Sequence, residues 1–188
     1  IIPSELEGNA QNWRFEIEST PHGILGGDWV KAHDADGKAI FALGDVVGKG
    51  PSAALTHSGI AAIWNSRIHD WEHNEEAPEE ILTAINQTMF ELFHGSMNTT
   101  FAVAEVYPDG KAKLSSSGNF WLHLAGDRSK PYPPSASALL GIKADMQIKL
   151  KEVQLQPGDW LVCFTDGILE GNRPVKRFMR STQKLFPN

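Results

Sequence analysis

Hydrophobic and polar positions alternate with a period of two near both ends of the chain and follow a helical period between them. Alternation over 13–19 predicts a half-buried strand, and the segments 29–33 and 39–46 predict a hairpin closed by the glycine-bearing turn 34–37. Beyond this hairpin, apolar residues recur at i, i+3 and i+4 spacing, which is typical of a helix buried on one face. The chain therefore changes from strands to helices near position 50.

Two helices are predicted in the middle of the chain. The first covers about 52–72 and follows a glycine-rich turn with Pro51, whose missing N–H costs no hydrogen bond in the first turn of a helix. An acidic loop follows. The second helix covers about 79–94 and places a row of apolar side chains on one face: Ile81, Leu82, Ile85, Met89 and Leu92.

The period of two returns after the second helix. Segments 99–107 and 111–117 predict another hairpin, and the uninterrupted apolar run 160–164 predicts a buried strand. The other elements expected here are strands at 120–124 and 147–155, a surface loop at 131–134 and a short closing helix at 175–185. Strands on either side of two adjacent helices favour an α+β fold with two antiparallel sheets packed face to face and helices covering one side.

Composition narrows the class of protein. The chain has 188 residues, 41% of them hydrophobic and 21% charged, which fits one globular domain over 1–188. Its net charge of −6 argues against the basic surface that nucleic acid requires, and its apolar runs are too short to cross a membrane. The single cysteine, Cys163, cannot form an internal disulfide, which suits the cytoplasm. Because the chain starts at Ile1 without a signal-peptide pattern, we expect a domain cut from a longer regulatory protein.

Three aspartates stand next to glycines at strand ends. Asp28 follows two glycines and opens a strand, Asp45 ends one before a glycine-rich turn, and Asp166 follows the apolar run 160–164. Oxygen-rich clusters at such positions suit Mg²⁺ or Mn²⁺, which prefer carboxylates, carbonyls and water. For each aspartate alone, ordinary turn chemistry is the favoured interpretation.

Three other motifs resemble known binding sites but are better explained as ordinary turns or helix ends. Segment 44–50 opens a helix as a P-loop does, but its glycines are one residue too close together and Gly50 replaces the Ser or Thr that would hold Mg²⁺. The H-x-x-E-H pattern at 69–73 is favoured as a solvated helix end over a zinc site. A turn is favoured over a calcium loop at 34–37, because Lys38 occupies the next ligand position.

Taken together, four segments resemble the signatures of the SpoIIE-type (RsbU-like) branch of the metal-dependent PPM, or 2C-like, protein serine/threonine phosphatases. These are 26–29, 44–54, 139–141 and 155–170, in the order and approximate spacing of that family. The resemblance covers the chain from its second residue to about position 172. It implies an α-β-β-α sandwich, in which two packed antiparallel sheets are flanked by helices.

The resemblance also implies a two-metal centre that holds Mn²⁺ or Mg²⁺. In such phosphatases the residue at Asp45 bridges the metals, the Val46 main-chain carbonyl is a further ligand, Asp166 binds one metal, and Asp28 binds directly or through water. A hydroxide bridging the cations would attack phosphoserine or phosphothreonine in line. The expected catalytic residues are thus Asp28, Asp45 and Asp166, and Cys163 is expected to be a core residue rather than a nucleophile.

Two departures from the family pattern leave a second function open. The family ends with a strand that bears a metal-binding aspartate, whereas no acidic residue follows Glu170. Either the given chain stops before that strand or the protein lacks it, and in this chain we expect one metal shell to be incomplete. Ser117-Gly118-Asn119 also stands where the family commonly has Ala-Gly-His. The alternative is a catalytically degenerate phosphatase fold that binds a protein partner.

The family resemblance implies a setting in bacterial partner-switching signal transduction. The expected substrate is a phosphorylated STAS-domain protein of the anti-anti-sigma type, and the expected regulator is a sensor or receiver domain in the parent protein. The expected location is the cytoplasm, without nucleic acid as a partner.

Overall fold

The computed structural model describes residues 5–10, 13–18, 27–35, 37–48, 50–73, 77–118, 121–125, 130–132 and 138–165. Within these residues the chain forms two helices and ten strands. They are β1 (Glu5–Ala10), β2 (Trp13–Glu18), β3 (Asp28–Ala35), β4 (Lys38–Val46), α1 (Pro51–His73), α2 (Pro78–Phe93), β5 (Thr99–Val106), β6 (Lys111–Ser117), β7 (Trp121–Ala125), β8 (Lys130–Tyr132), β9 (Leu150–Gln154) and β10 (Trp160–Phe164).

All of the strand pairs are antiparallel. A five-stranded sheet has the order β3-β4-β5-β6-β9, a second sheet has the order β10-β7-β8, and β1 pairs with β2. The two helices pack on the five-stranded sheet through β4, β5 and β6. The predicted α+β fold with helices flanking antiparallel sheets is confirmed.

The larger core lies between the helices and the five-stranded sheet. Its aromatic centre is Trp29 of β3, which meets Trp64 of α1 edge-on at 5.1 Å and Phe101 of β5 at 5.2 Å between ring centroids. All three side chains are buried, and such rings contribute more to stability than any other core residues because they remove the most apolar area from water. This core fixes the helix-facing side of β3, β4 and β5.

A smaller cluster covers the opposite face of the same sheet. Phe41 and Ala104 pack there with Trp13 of β2 and Leu161 of β10. Residues of the two smaller sheets thus lie against this second face, which is the sheet-on-sheet packing that the alternation predicted. Because side chains alternate along a strand, Phe41 and Asp45 share this face of β4.

The second helix begins and ends with clear capping interactions. Pro78 occupies its first turn, and the Ala77 N–H donates to Glu80 Oε2 at 3.0 Å. The helix ends at His94, which has a φ of 48° and donates its N–H to the Phe90 carbonyl oxygen. The predicted helices at about 52–72 and 79–94 agree with α1 and α2 to within one residue.

A charged pair lies inside the helix-side core. Glu105 of β5 is completely buried, and its Oε1 accepts from Lys38 Nζ at 2.8 Å and from Trp71 Nε1. Its Oε2 accepts from Tyr107 Oη at 3.0 Å and lies 3.7 Å from Lys113 Nζ. Such a buried carboxylate is tolerated because its oxygens are hydrogen-bonded and a cation is adjacent. The contacts join the end of α1, through Trp71, to the first residue of β4, Lys38.

The structure corrects two predicted segments. Of the residues expected to form a surface loop at 131–134, Pro131 and Tyr132 instead belong to strand β8, which pairs with β7 at one edge of the described sheet. Proline is accepted there because an edge strand does not need every N–H. Residues 133–134 lie outside the described residues. The strand expected over 147–155 is shorter, and covers Leu150–Gln154. The helix expected over 175–185 lies outside the described residues.

Neither described helix combines the length and apolarity that a membrane crossing requires.

Candidate metal centre

Asp28 and Asp45 face each other across the open end of the β3–β4 hairpin. The register pairs Asp28 with Asp45, seven steps along the ladder from the pair Ala35 and Lys38 at the closed end. Directly opposed residues carry their Cβ atoms about 4.5–5.5 Å apart. Both side chains are partly buried on the face that packs toward the smaller sheets. Two ionised carboxylates at this distance would repel each other, and a bound divalent cation would offset that repulsion.

The main chain between Asp45 and Val46 is held from both neighbouring strands. On the β3 side, the Val46 N–H donates to the Gly27 carbonyl oxygen at 3.0 Å. On the β5 side, the Asp45 carbonyl oxygen accepts from Thr99 Oγ1 at 2.8 Å. The Val46 side chain is buried in the helix-side core. These contacts fix the peptide bond between the two predicted ligand residues.

Gly27 makes room for two of the predicted ligand atoms. An ideal Cβ built at Gly27 would stand 2.6 Å from the Val46 carbonyl oxygen and 2.8 Å from Asp45 Oδ1. Both oxygens therefore converge on one small space beside the Gly27 main chain. A carboxylate and a carbonyl oxygen that meet next to a second carboxylate form the donor set that Mg²⁺ and Mn²⁺ prefer. The residues present fit a divalent cation.

The third predicted aspartate, Asp166, lies outside the described residues, which end at Thr165 in this part of the chain. The preceding strand, β10, pairs with β7, and its Leu161 packs against the sheet face that carries Asp45. Among the described residues no group of three or more His, Cys, Asp or Glu side chains could hold a metal ion. The structure thus brings Asp28, Asp45 and Val46 together, and the ligand roles of these residues and of Asp166 stay predictions.

Cys163 is poorly suited to be a nucleophile. Burial raises the pKa of its thiol to about 12. The thiolate is the nucleophilic form of cysteine, and at neutral pH this thiol is almost entirely protonated. The prediction that Cys163 is a packing residue agrees with this environment.

His57 of α1 is the described histidine whose titration the fold clearly changes. Partial burial, followed by positive charges that include Lys31 of β3, lowers its pKa from the ordinary value of 6.5. The side chain is therefore neutral at physiological pH and does not add a positive charge beside the sheet.

Thr99 is the residue near the centre that the sequence pattern did not single out. It is the first residue of an alternating strand and has no glycine beside it, so its buried hydroxyl contact with Asp45 has no local signature. Only the pairing of β4 with β5, which places Thr99 opposite Val46, could have suggested it.

Comparisons with known proteins identify the family of the chain. The family model for stage II sporulation protein E (SpoIIE) matches residues 35–186. No curated protein sequence gives a significant match.

Solved structures share the fold at low sequence identity. The RsbU and RsbW domains of a Mycobacterium tuberculosis protein align with a TM-score of 0.69 at 23% identity, over 87% of this chain and 45% of theirs. RsbX in complex with magnesium aligns with a TM-score of 0.64 at 18% identity, over 87% of this chain and 81% of RsbX. The PP2C phosphatase domain of SpoIIE from Bacillus subtilis, with a fragment of its regulatory domain, aligns with a TM-score of 0.70 at 19% identity, over 88% of this chain and 48% of that one. The chain therefore spans less than half the length of the first and third of these.

Proposed function

Since the chain belongs to the SpoIIE family of serine/threonine phosphatases, we propose that it is a metal-dependent enzyme that hydrolyses phosphoserine and phosphothreonine in proteins. The observation that supports this proposal most directly is the convergence of Asp45 Oδ1 and the Val46 carbonyl oxygen beside Gly27, with Asp28 opposite. No covalent nucleophile is needed in this chemistry, which agrees with the protonated state of Cys163.

We propose that strands β3 and β4 each supply part of the metal-binding set. Asp45 and Val46 of β4 would hold Mn²⁺ or Mg²⁺, Asp28 of β3 would bind directly or through water, and Asp166 would complete the set. A divalent metal held by these residues would activate water for attack on phosphorus and neutralise the phosphate oxygens. The carboxylates themselves repel a phosphate group, as does the net charge of −6. Both substrate affinity and the rate of hydrolysis should therefore depend on the cation.

We also propose a biological setting. The chain is one domain over 1–188 of a longer cytoplasmic regulatory protein, with a sensor or receiver segment in the parent protein. Its substrate is a phosphorylated STAS-domain protein in bacterial partner switching. Support comes from the M. tuberculosis structure, which combines RsbU and RsbW domains, and from the share of that chain, 45%, that this one covers.

The proposal is tested by titrating Mn²⁺ against the purified chain with p-nitrophenyl phosphate and a phosphoserine-bearing STAS protein. We expect turnover that a chelator abolishes. Asp45→Asn should lower kcat/KM by more than the roughly 10- to 100-fold that loss of an outer-shell partner costs, because it removes a ligand itself. The control is Asp109→Asn, the same change at the exposed turn between β5 and β6. Binding of the phosphoprotein without turnover would favour the degenerate binding module instead.

A further inference from the structure

We propose that Thr99 is a positioning residue for this centre, and that its hydroxyl sets the affinity for the divalent cation by fixing the Asp45–Val46 peptide bond. This inference rests on the proposed function. Thr99 is completely buried at the start of β5, and its Oγ1 donates to the Asp45 carbonyl oxygen at 2.8 Å. Thr100 Oγ1 lies at 3.4 Å from the same carbonyl, so Thr99 makes the closer contact.

The contact matters because the Asp45–Val46 peptide group is planar and is then held by a hydrogen bond on each side. The peptide bond between Asp45 and Val46 is rigid, with its C=O and N–H on opposite sides. Thr99 holds the C=O, and the Gly27 carbonyl oxygen holds the N–H at 3.0 Å. A rotation of this plane would move both ligand oxygens, Asp45 Oδ1 and Val46 O, away from the space beside Gly27. The next N–H, that of Val47, donates to Asn98 O at 2.9 Å and limits the same rotation.

Thr99 can hold Asp45 in place because its own main chain is fixed. Its N–H and C=O pair with Leu140, at 3.2 and 2.9 Å. The Leu140 segment is in turn held by α2, since buried Asn86 accepts from the Gly141 N–H at 2.9 Å and donates to the carbonyl oxygens of Lys143 and Ala144. The hydroxyl therefore sits on a rigid part of the fold.

The Thr99 hydroxyl has a second acceptor within reach. Oγ1 also lies 2.8 Å from the Thr100 carbonyl oxygen, and a hydroxyl carries only one proton. A hydrogen bond to the Asp45 carbonyl would keep both ligand oxygens aligned for a cation, whereas a hydrogen bond to the Thr100 carbonyl would not. Thr99 acts through Asp45, and its loss should weaken metal binding before it affects chemistry.

The test measures Mn²⁺ binding to the full chain from the paramagnetic resonance signal of unbound Mn²⁺. Thr99→Val keeps the shape of the side chain and removes the hydroxyl, and Thr99→Ser keeps the hydroxyl. We expect the Kd for Mn²⁺ to rise about 10-fold or more in Thr99→Val, the range seen when a partner of a metal ligand is lost, and to return toward wild type in Thr99→Ser. Phosphatase activity should recover at saturating Mn²⁺, because affinity is lost and the chemistry is not.

A matched control is Thr83→Val, which removes a hydroxyl-to-carbonyl hydrogen bond of 2.7 Å to Glu79 within α2. It should bind Mn²⁺ as the wild type does. If Thr99→Val does not fold, Thr99→Ala is compared with Thr99→Ser at a temperature where circular dichroism shows both to be native.

The outcomes separate this inference from the proposed function. Wild-type affinity in Thr99→Val or Thr99→Ala overturns the role of Thr99 and leaves the phosphatase proposal standing. Equal losses in the serine and valine variants also overturn it, because the hydroxyl would then not be the cause. A wild-type chain that neither binds Mn²⁺ nor hydrolyses phosphoserine overturns both.

Discussion

Gly27 lies against Asp45 so closely that a single methyl group on Gly27 would stand 2.8 Å from the Asp45 carboxylate oxygen. The same methyl would stand 2.6 Å from the Val46 carbonyl oxygen, a main-chain atom that cannot rotate away as a flexible side chain can. Glycine is thus required here by the space that two predicted ligand atoms occupy.

Gly27→Ala should therefore weaken Mn²⁺ binding by about 10-fold or more, because the methyl displaces ligand atoms rather than their outer partners. Isothermal titration of Mn²⁺ measures the effect. The control is Gly59→Ala in α1, where an added Cβ meets nothing within 4 Å and where alanine should stabilise the helix by about 1 kcal/mol. Unchanged Mn²⁺ affinity in Gly27→Ala would contradict the placement of the centre.

The buried pair of Lys38 and Glu105 should have a large effect on stability. Lys38→Met leaves the buried Glu105 carboxylate without its closest cation and should lower the free energy of unfolding by about 3 kcal/mol. Urea unfolding measures the loss. The control is Lys111→Met, which breaks an exposed pair with Glu152 and should cost at most about 1 kcal/mol.

Adding Glu105→Gln to Lys38→Met should restore part of the lost stability, since the double variant no longer buries a carboxylate that has lost its closest cation. Equal losses for Lys38→Met and Lys111→Met would show that the buried pair contributes no more than a surface pair.

His57 should make stability depend on pH in the acid range. Its pKa in the folded chain is lower than the ordinary 6.5, so the unfolded chain binds the proton more tightly. The free energy of unfolding should accordingly fall as the pH drops below 6.5 toward the folded pKa. His57→Gln removes this contribution, and groups common to both proteins cancel in the comparison. Urea unfolding at pH 7.5 and 5.5 should show a smaller loss in the variant. An identical fall in the free energy of unfolding in both proteins would argue against a lowered pKa of His57.

The fold could be predicted from periodicity because most of its elements bury one face. The hairpins around 34–37 and 108–110 and the two helices follow directly from alternation and helical spacing. Strand β8 could not be predicted, because Pro131 is typical of loops and only its edge position makes it compatible with a sheet.

The candidate site could be predicted only in part. Asp28, Asp45 and Val46 were found through family signatures at strand ends, and the register then placed them together. Thr99 was not found, because the residue that its hydroxyl contacts lies 54 positions away in sequence. Outside the site, Glu105 of the helix-side core was not found either, although its position on the same strand face as Phe101 predicts burial and a buried partner.

The most direct test of the metal centre is anomalous diffraction from crystals soaked in Mn²⁺, recorded at the manganese absorption edge. We expect an anomalous peak between Asp28, Asp45 and the Val46 carbonyl oxygen, and its loss in Asp45→Asn crystals soaked in the same way. A manganese peak elsewhere in the protein, with none between these residues at saturating Mn²⁺, would contradict it.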